Sequence, residues 1–247
     1  MSSSQKKAIR NAHARKYIEE VFANRLKEEG FFCPDDRLLC WYRILNNEVL
    51  QTICFYSCWS NVPLIVSIAY GVNPLFKKPF ATTDVSSPKR PDGAGFSRAE
   101  IRADGEKQWM APYAPDAQVY APIDGSRGRH TLEENVFPLL NSIQTLAQCY
   151  RLHLDSPQRY DISYAKSLAD MGIYLQDDQN FSLLLNEVDD GIRRCDWELE
   201  RRPKSSEHAK LKQEYLLLRE VLRGNDRSGY VAVLEAKKQK TLQALKK

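Results

Sequence analysis

No Gly-x-x-x-x-Gly-Lys-Ser/Thr loop, no dinucleotide fingerprint and no Gly-x-Ser-x-Gly elbow occurs in these 247 residues. The chain therefore lacks the short motifs that announce a phosphate cradle, nicotinamide chemistry or a serine nucleophile. Its four histidines, His13, His130, His153 and His208, stand at no ligand spacing to one another or to the cysteines, and there is no His-Glu-x-x-His. No metal and no cofactor is expected. Six cysteines, Cys33, Cys40, Cys54, Cys58, Cys149 and Cys195, have neither the density nor the paired spacing of a disulfide framework or a zinc ribbon. The nearest pair, Cys54 and Cys58, would share a face of one strand but stand about 13 Å apart at 3.3 Å per residue. A disulfide needs Cα atoms within about 7 Å, so reduced and mostly buried thiols are expected.

Charge is missing from one long stretch: nothing between Val49 and Phe76 is ionisable as Asp, Glu, Lys or Arg. A membrane helix requires about 20 predominantly apolar residues, and here Gln51, Thr52, Ser57, Ser60, Asn61, Pro63 and Ser67 interrupt every window. A buried sheet accounts for the stretch better, and no membrane association is expected. The N-terminus, Met-Ser-Ser-Ser-Gln-Lys-Lys, leads into charged sequence without the 7-to-15-residue apolar run of a secretory leader. A cytoplasmic location is the expectation.

What is present is an ordinary globular composition, 43% hydrophobic and 28% charged. The net charge of +4 is unevenly placed. Residues 1 to 30 carry seven Lys/Arg against four Glu, and residues 231 to 247 carry five Lys against Glu235, so the middle is slightly acidic. Basic ends can attract anionic partners. Without a recognition motif, a nucleic-acid accessory role ranks below the other readings.

The pattern along the chain predicts an α+β protein: an N-terminal helix on a small antiparallel β-meander, followed by a helical C-terminal region. Ser4 to Glu29 places Ile9, Ala12, Tyr17, Val21, Phe22 and Leu26 near helical period, with Gly30 as the stop. Leu38 to Leu45, Glu48 to Trp59 and Leu64 to Val72 are rich in aromatic and β-branched residues and read as three strands. Asn46-Asn47 suits a two-residue hairpin, because Asn tolerates positive φ. Neither alternating set of the central strand is plainly polar, so both faces should be covered. Residues 73 to 130 form a long irregular loop punctuated by Pro and Gly, with one more strand expected near 107 to 113 or 117 to 120. Thr131-Leu-Glu-Glu134 matches a capping box opening a helix that runs through Val136, Leu140, Ile143 and Tyr150, and Pro138 either starts or kinks it. Helices follow at 162 to 175, 180 to 202, 206 to 223 and 229 to 245, joined as a hairpin-rich bundle. Two regions are expected: residues 1 to 155, α+β with the long loop, and residues 156 to 247, helical.

Two places could carry function. Gly125-Ser-Arg-Gly-Arg-His130 runs directly into a helix start, where free N–H groups favour an anion; Arg127, Arg129 and His130 are the candidate ligand-binding residues for a phosphate or carboxylate. Trp109, Met110 and Tyr113, in the long loop, suit a protein interface. The acidic clusters Asp177-Asp178 and Glu187 with Asp189-Asp190 have the residue types of a carboxylate pair but are expected to face water. No catalytic residue is named, and an enzyme is not the favoured reading.

Arg25-Leu-Lys-Glu-Glu-Gly-Phe-Phe32, followed by Leu39-Cys-Trp-Tyr-Arg43 and the uncharged strands to Gly71, resembles a bacterial domain family of unknown function over residues 5 to 150. The resemblance implies an α+β fold and a bacterial cytosolic setting, with no catalytic residues. The leading functional expectation is a non-enzymatic protein-interaction module with a protein partner or a homo-oligomer. The alternative is an enzyme or sensor for a phosphorylated or carboxylated small ligand held by the 125–130 loop.

Overall fold

The serine at position 2 starts the first helix by a reciprocal cap. Its hydroxyl accepts the Gln5 N–H, and the Gln5 side chain accepts the Ser2 N–H at 2.8 Å. The computed structural model describes residues 2–57, 64–79, 81, 109–113, 129–130, 132–155, 164–224 and 227–246. Over these the protein is α+β, and its backbone divides into two compact units: residues 1–73 with 79–144 and 246–247, and residues 74–78 with 145–245.

In the first unit α1 (Ser3–Ile18) continues through a π-helical turn (Glu19–Ala23) into α2 (Asn24–Glu28). The wider turn keeps Phe22, Ala23 and Leu26 buried in line with Ala14, Tyr17 and Ile18. Gly30 ends the run at φ +80°, with its N–H on Lys27 O and the Phe31 N–H on Leu26 O. These two bonds are the glycine-terminated C-cap the sequence announces at this position, and Phe31 and Leu26, its apolar pair, are both buried.

Four strands, β1 (Cys40–Leu45), β2 (Val49–Ser57), β3 (Leu64–Pro74) and β4 (Trp109–Tyr113), lie in sequence order in one sheet. β1 and β2 pair antiparallel from Leu45↔Val49 to Cys40↔Cys54. Asn46 and Asn47 both take positive φ, 52° and 51°, and Glu48 N–H closes the turn on Leu45 O. The ladder resumes one residue later than a two-residue hairpin would give, leaving Glu48 in the loop. The expected fourth strand is present at 109–113, on the outside of β3, where Pro112 needs no N–H partner. Both faces of the β1–β2 pair are buried. Trp41, Val49, Gln51, Ile53 and Phe55 lie on one, with Phe55 stacked on Phe22 at 5.2 Å between ring centres; Cys40, Tyr42, Leu50, Thr52 and Cys54 lie on the other.

The single helix expected from 131 to 150 is three pieces. A π-helical turn (Leu132–Val136) leads into α3 (Phe137–Ser142), whose first turn holds Pro138, and Ile143 then adopts extended backbone. The Gln51 side-chain amide donates to Leu140 O at 2.5 Å and Ile143 O at 2.8 Å, supplying partners for carbonyls that the helix end exposes. A new helix, α4 (Leu146–Asp155), begins behind a reciprocal cap between Thr145 and Gln148.

The second unit is helical: α4, α5 (Tyr164–Tyr174), α6 (Phe181–Arg201), α7 (Ser206–Arg223) and α8 (Ser228–Leu245). Its centre is α5, where nine of eleven residues are buried. Asp170 lies within it and accepts from Lys166 Nζ at 2.6 Å and Tyr230 Oη at 2.7 Å, so this buried carboxylate is paired on both oxygens. Two glycines set the approach of the helices. A Cβ on Gly191 would lie 2.7 Å from the Tyr215 ring, and one on Gly172 would collide with Leu184 and crowd the Tyr150 hydroxyl. Among the described residues no helix is long and apolar enough to cross a membrane.

Candidate functional site

Of the residues that the sequence offers for an anion, Arg129 and His130 are exposed and helical just before the Leu132–Val136 turn, while Arg127 lies outside the described residues. Glu133, within that turn, is engaged by Arg25, whose guanidinium spans both carboxylate oxygens at 2.5 and 3.1 Å. That contact holds the Glu133 carboxyl below its ordinary range. Trp109, Met110 and Tyr113 lie on β4 at the outer side of β3. The acidic clusters of the second unit are held by cations and an amide. Asp190 meets Arg193 and Arg194 at 3.0 and 2.6 Å, Asp178 meets Arg227 at 3.1 Å, and Asp177 accepts from Asn180 at 2.6 Å. Among the described residues no three His, Cys, Asp or Glu side chains are grouped to hold a metal ion.

Arg43 is a largely buried charge of the first unit with partners on several elements. Its Nε donates to Gln51 Oε1 at 2.7 Å, one terminal nitrogen to Glu29 O at 2.8 Å and the other to Asn141 Oδ1 at 2.5 Å, and its plane lies 4.6 Å from the Phe31 ring centre. Burial lowers its pKa, opposed by Glu29. With every edge committed, this guanidinium ties the end of α2, the β1–β2 ladder and α3 together and is not offered to a ligand.

Cys149 and His153, one turn apart on α4, resemble a nucleophile–base pair in residue type only. The sulfur lies 3.9 Å from Nδ1, and Nδ1 is 2.8 Å from Cys149 O, a carbonyl that can only accept a hydrogen bond from it. The ring stacks on Tyr164, whose hydroxyl donates to His153 O. Burial pushes the Cys149 thiol up to about 12, the reverse of activation.

The same burial makes a prediction. Cys149 and the phenols of Tyr42, Tyr150 and Tyr230 all have pKa values raised chiefly by desolvation. Their folded values exceed their unfolded ones, so the stability they contribute is complete below the unfolded values and is lost as pH rises. The unfolded chain releases these protons near pH 8.5 for a thiol and near 10 for a phenol. The urea midpoint should fall from about pH 8.5 and more steeply above about 10, approaching ~1.4 kcal/mol per pH unit for each group titrating in the unfolded chain. A midpoint level from pH 8 to 11 would overturn this account.

Among the described residues the exposed large apolar side chains are Leu217 on α7, Val233 on α8, and Leu183 and Trp197 on α6; the tryptophan sets α6 apart. Leu184, Val188, Gly191, Ile192 and Cys195 bury one side of this helix. On the opposite side Trp197 is 53% exposed, and Leu183, four turns earlier, is 43% exposed. The Arg201 guanidinium stands 4.3 Å from the Trp197 ring centre, a cation–π contact that holds the indole in one orientation at the surface. Asp190 with Arg193 and Arg194 forms a charged segment between the two apolar residues. Trp197 is out of phase with the apolar stripe of its own helix, and that phase was the signal available in the sequence. No family model, curated protein or solved structure matches the chain; the bacterial-family resemblance rests on the residues quoted for it.

Proposed function

We propose that the protein is a non-enzymatic interaction module that binds a protein partner through the outer face of α6, centred on Trp197 and Arg201. The observation that carries this reading is a tryptophan more than half exposed and braced by an arginine. Trp and Arg dominate the energetics of protein interfaces because each covers a large area and needs little further ordering to bind. The charged groups elsewhere support the same reading: Arg43 is engaged inside the first unit and Asp170 inside the second rather than left open to a small ligand.

The test begins with native mass spectrometry of the chain captured from its own cells, followed by measurement of the isolated complex. Trp197→Ala is expected to weaken a stoichiometric complex by ten- to a hundredfold, about 1.4–2.8 kcal/mol, with an unchanged circular dichroism spectrum and urea midpoint. Arg201→Ala should weaken it less. A complex whose affinity neither substitution changes would overturn the assignment.

A further inference from the structure

We propose that Cys40 and Cys54 are a modification site, a dithiol that two-electron oxidation by a small disulfide closes into a bridge between β1 and β2. The two residues are direct partners in the ladder. Phe55 N–H donates to Leu39 O at 2.9 Å, so Leu39 and Phe55 form a hydrogen-bonded pair. The next pair, Cys40 and Cys54, is of the other kind, in which backbones and side chains stand closest. Cα atoms so opposed are about 4.5 Å apart, within the range of about 4.4–6.8 Å that a disulfide spans. The sulfurs are already 2.7 Å apart, and both cysteines are free and fully buried. This inference is independent of the reading of α6.

The reaction balances as thiol–disulfide exchange. The thiolate of one cysteine attacks one sulfur of the small disulfide RSSR, forming a mixed disulfide and expelling RS⁻. The thiolate of the second cysteine then attacks the protein sulfur of the mixed disulfide, forming the Cys40–Cys54 bond and expelling the second RS⁻. Two protein S–H bonds are lost and one S–S bond is made; the two electrons and two protons leave as two RSH. Burial raises the Cys54 pKa, so exchange proceeds through openings that expose the thiols. Cys33, half-buried and donating to Asp35 O at 3.1 Å, is the competing sulfur in the same electrostatic neighbourhood.

Closing this short loop restrains the unfolded chain and should raise the folding equilibrium constant roughly a hundredfold. The experiment incubates the whole chain with oxidised glutathione under native conditions and alkylates the remaining thiols in denaturant. A chymotryptic digest, cleaving at Phe55 and Tyr56 between Cys54 and Cys58, is then mapped by mass spectrometry. The expected result is a Cys40–Cys54 linked peptide that dithiothreitol abolishes and that persists in Cys33→Ser, together with a higher urea midpoint for the oxidised protein. Recovery of Cys40 and Cys54 as unlinked alkylated or glutathionylated residues would overturn the proposal, and so would either one linked to Cys33. The mapping is made on the unaltered chain, so the result does not depend on whether Cys40→Ser or Cys54→Ser folds.

Discussion

Gly191→Ala is expected to destabilise the helical unit by about 2 kcal/mol, although alanine is the better helix former by about 1 kcal/mol in a helix interior. The sign is decided by what the methyl group meets. It would lie 2.7, 2.9 and 2.9 Å from three ring carbons of Tyr215, a fully buried residue. That ring cannot retreat freely, because its hydroxyl accepts the Lys166 N–H in the first turn of α5 at 3.3 Å. Overpacking a filled core costs about 1–3 kcal/mol, and the displaced hydrogen bond adds roughly 1 kcal/mol. Together they exceed the helical gain. The urea midpoint should drop, and the thermal midpoint should fall by about 4–8 °C for a chain of this size. Gly229→Ala is the control, since a Cβ there meets nothing within 4 Å, and it should leave the midpoint level or slightly raised. A Gly191→Ala protein as stable as the parent would mean that α6 and α7 do not approach as described.

Gln51→Leu is expected to cost more, about 3–4 kcal/mol, for a change that barely alters side-chain volume. Gln51 is fully buried, and its amide serves three groups: Leu140 O, Ile143 O and Arg43 Nε. Leucine gains a little apolar burial but leaves two carbonyls and one guanidinium N–H without this partner. Each abandoned buried group costs about 1–3 kcal/mol, and the charged donor is the dearest to strand. Urea unfolding followed through the fluorescence of buried Trp41 reads the loss. Gln51→Glu is the informative companion, since it keeps an acceptor for Arg43 but cannot donate to the two carbonyls. It should recover part of the loss if the arginine contact dominates, and none if the carbonyls do.

Much of the fold was legible because local chemistry and tertiary need agreed. Gly30 stops a helix where its positive φ is required, Asn46 and Asn47 take the positive φ that their residue type permits, and α7 covers the span its periodicity marked. The reading failed where a remote partner overruled the local pattern. The apolar spacing from Val136 to Tyr150 argues for one helix, but the Gln51 amide, some ninety residues earlier, offers the partners that let α3 end at Ile143. The Thr145–Gln148 cap was visible as a Thr-x-x-Gln and was masked by the unbroken stripe around it. Trp197 was absorbed into the general helicity of its segment, although its phase set it apart.

The sequence by itself determined the class of the protein and the order of its elements, because helical and strand periods and turn residues act over a few positions. It also determined that the uncharged stretch is strand rather than membrane helix over its described parts, Val49–Ser57 and Leu64–Pro74, since polar residues recur in it too often. Which residues meet was decided only by the tertiary structure. Cys40 and Cys54 are fourteen positions apart with no motif between them, and a ladder register joins them. Arg43 stands in the sequence only as a residue of the first strand, and the tertiary structure brings Glu29, Gln51 and Asn141 around it from three elements. Contacts between distant segments depend on the sum of the packing, and no short window of residues contains that sum.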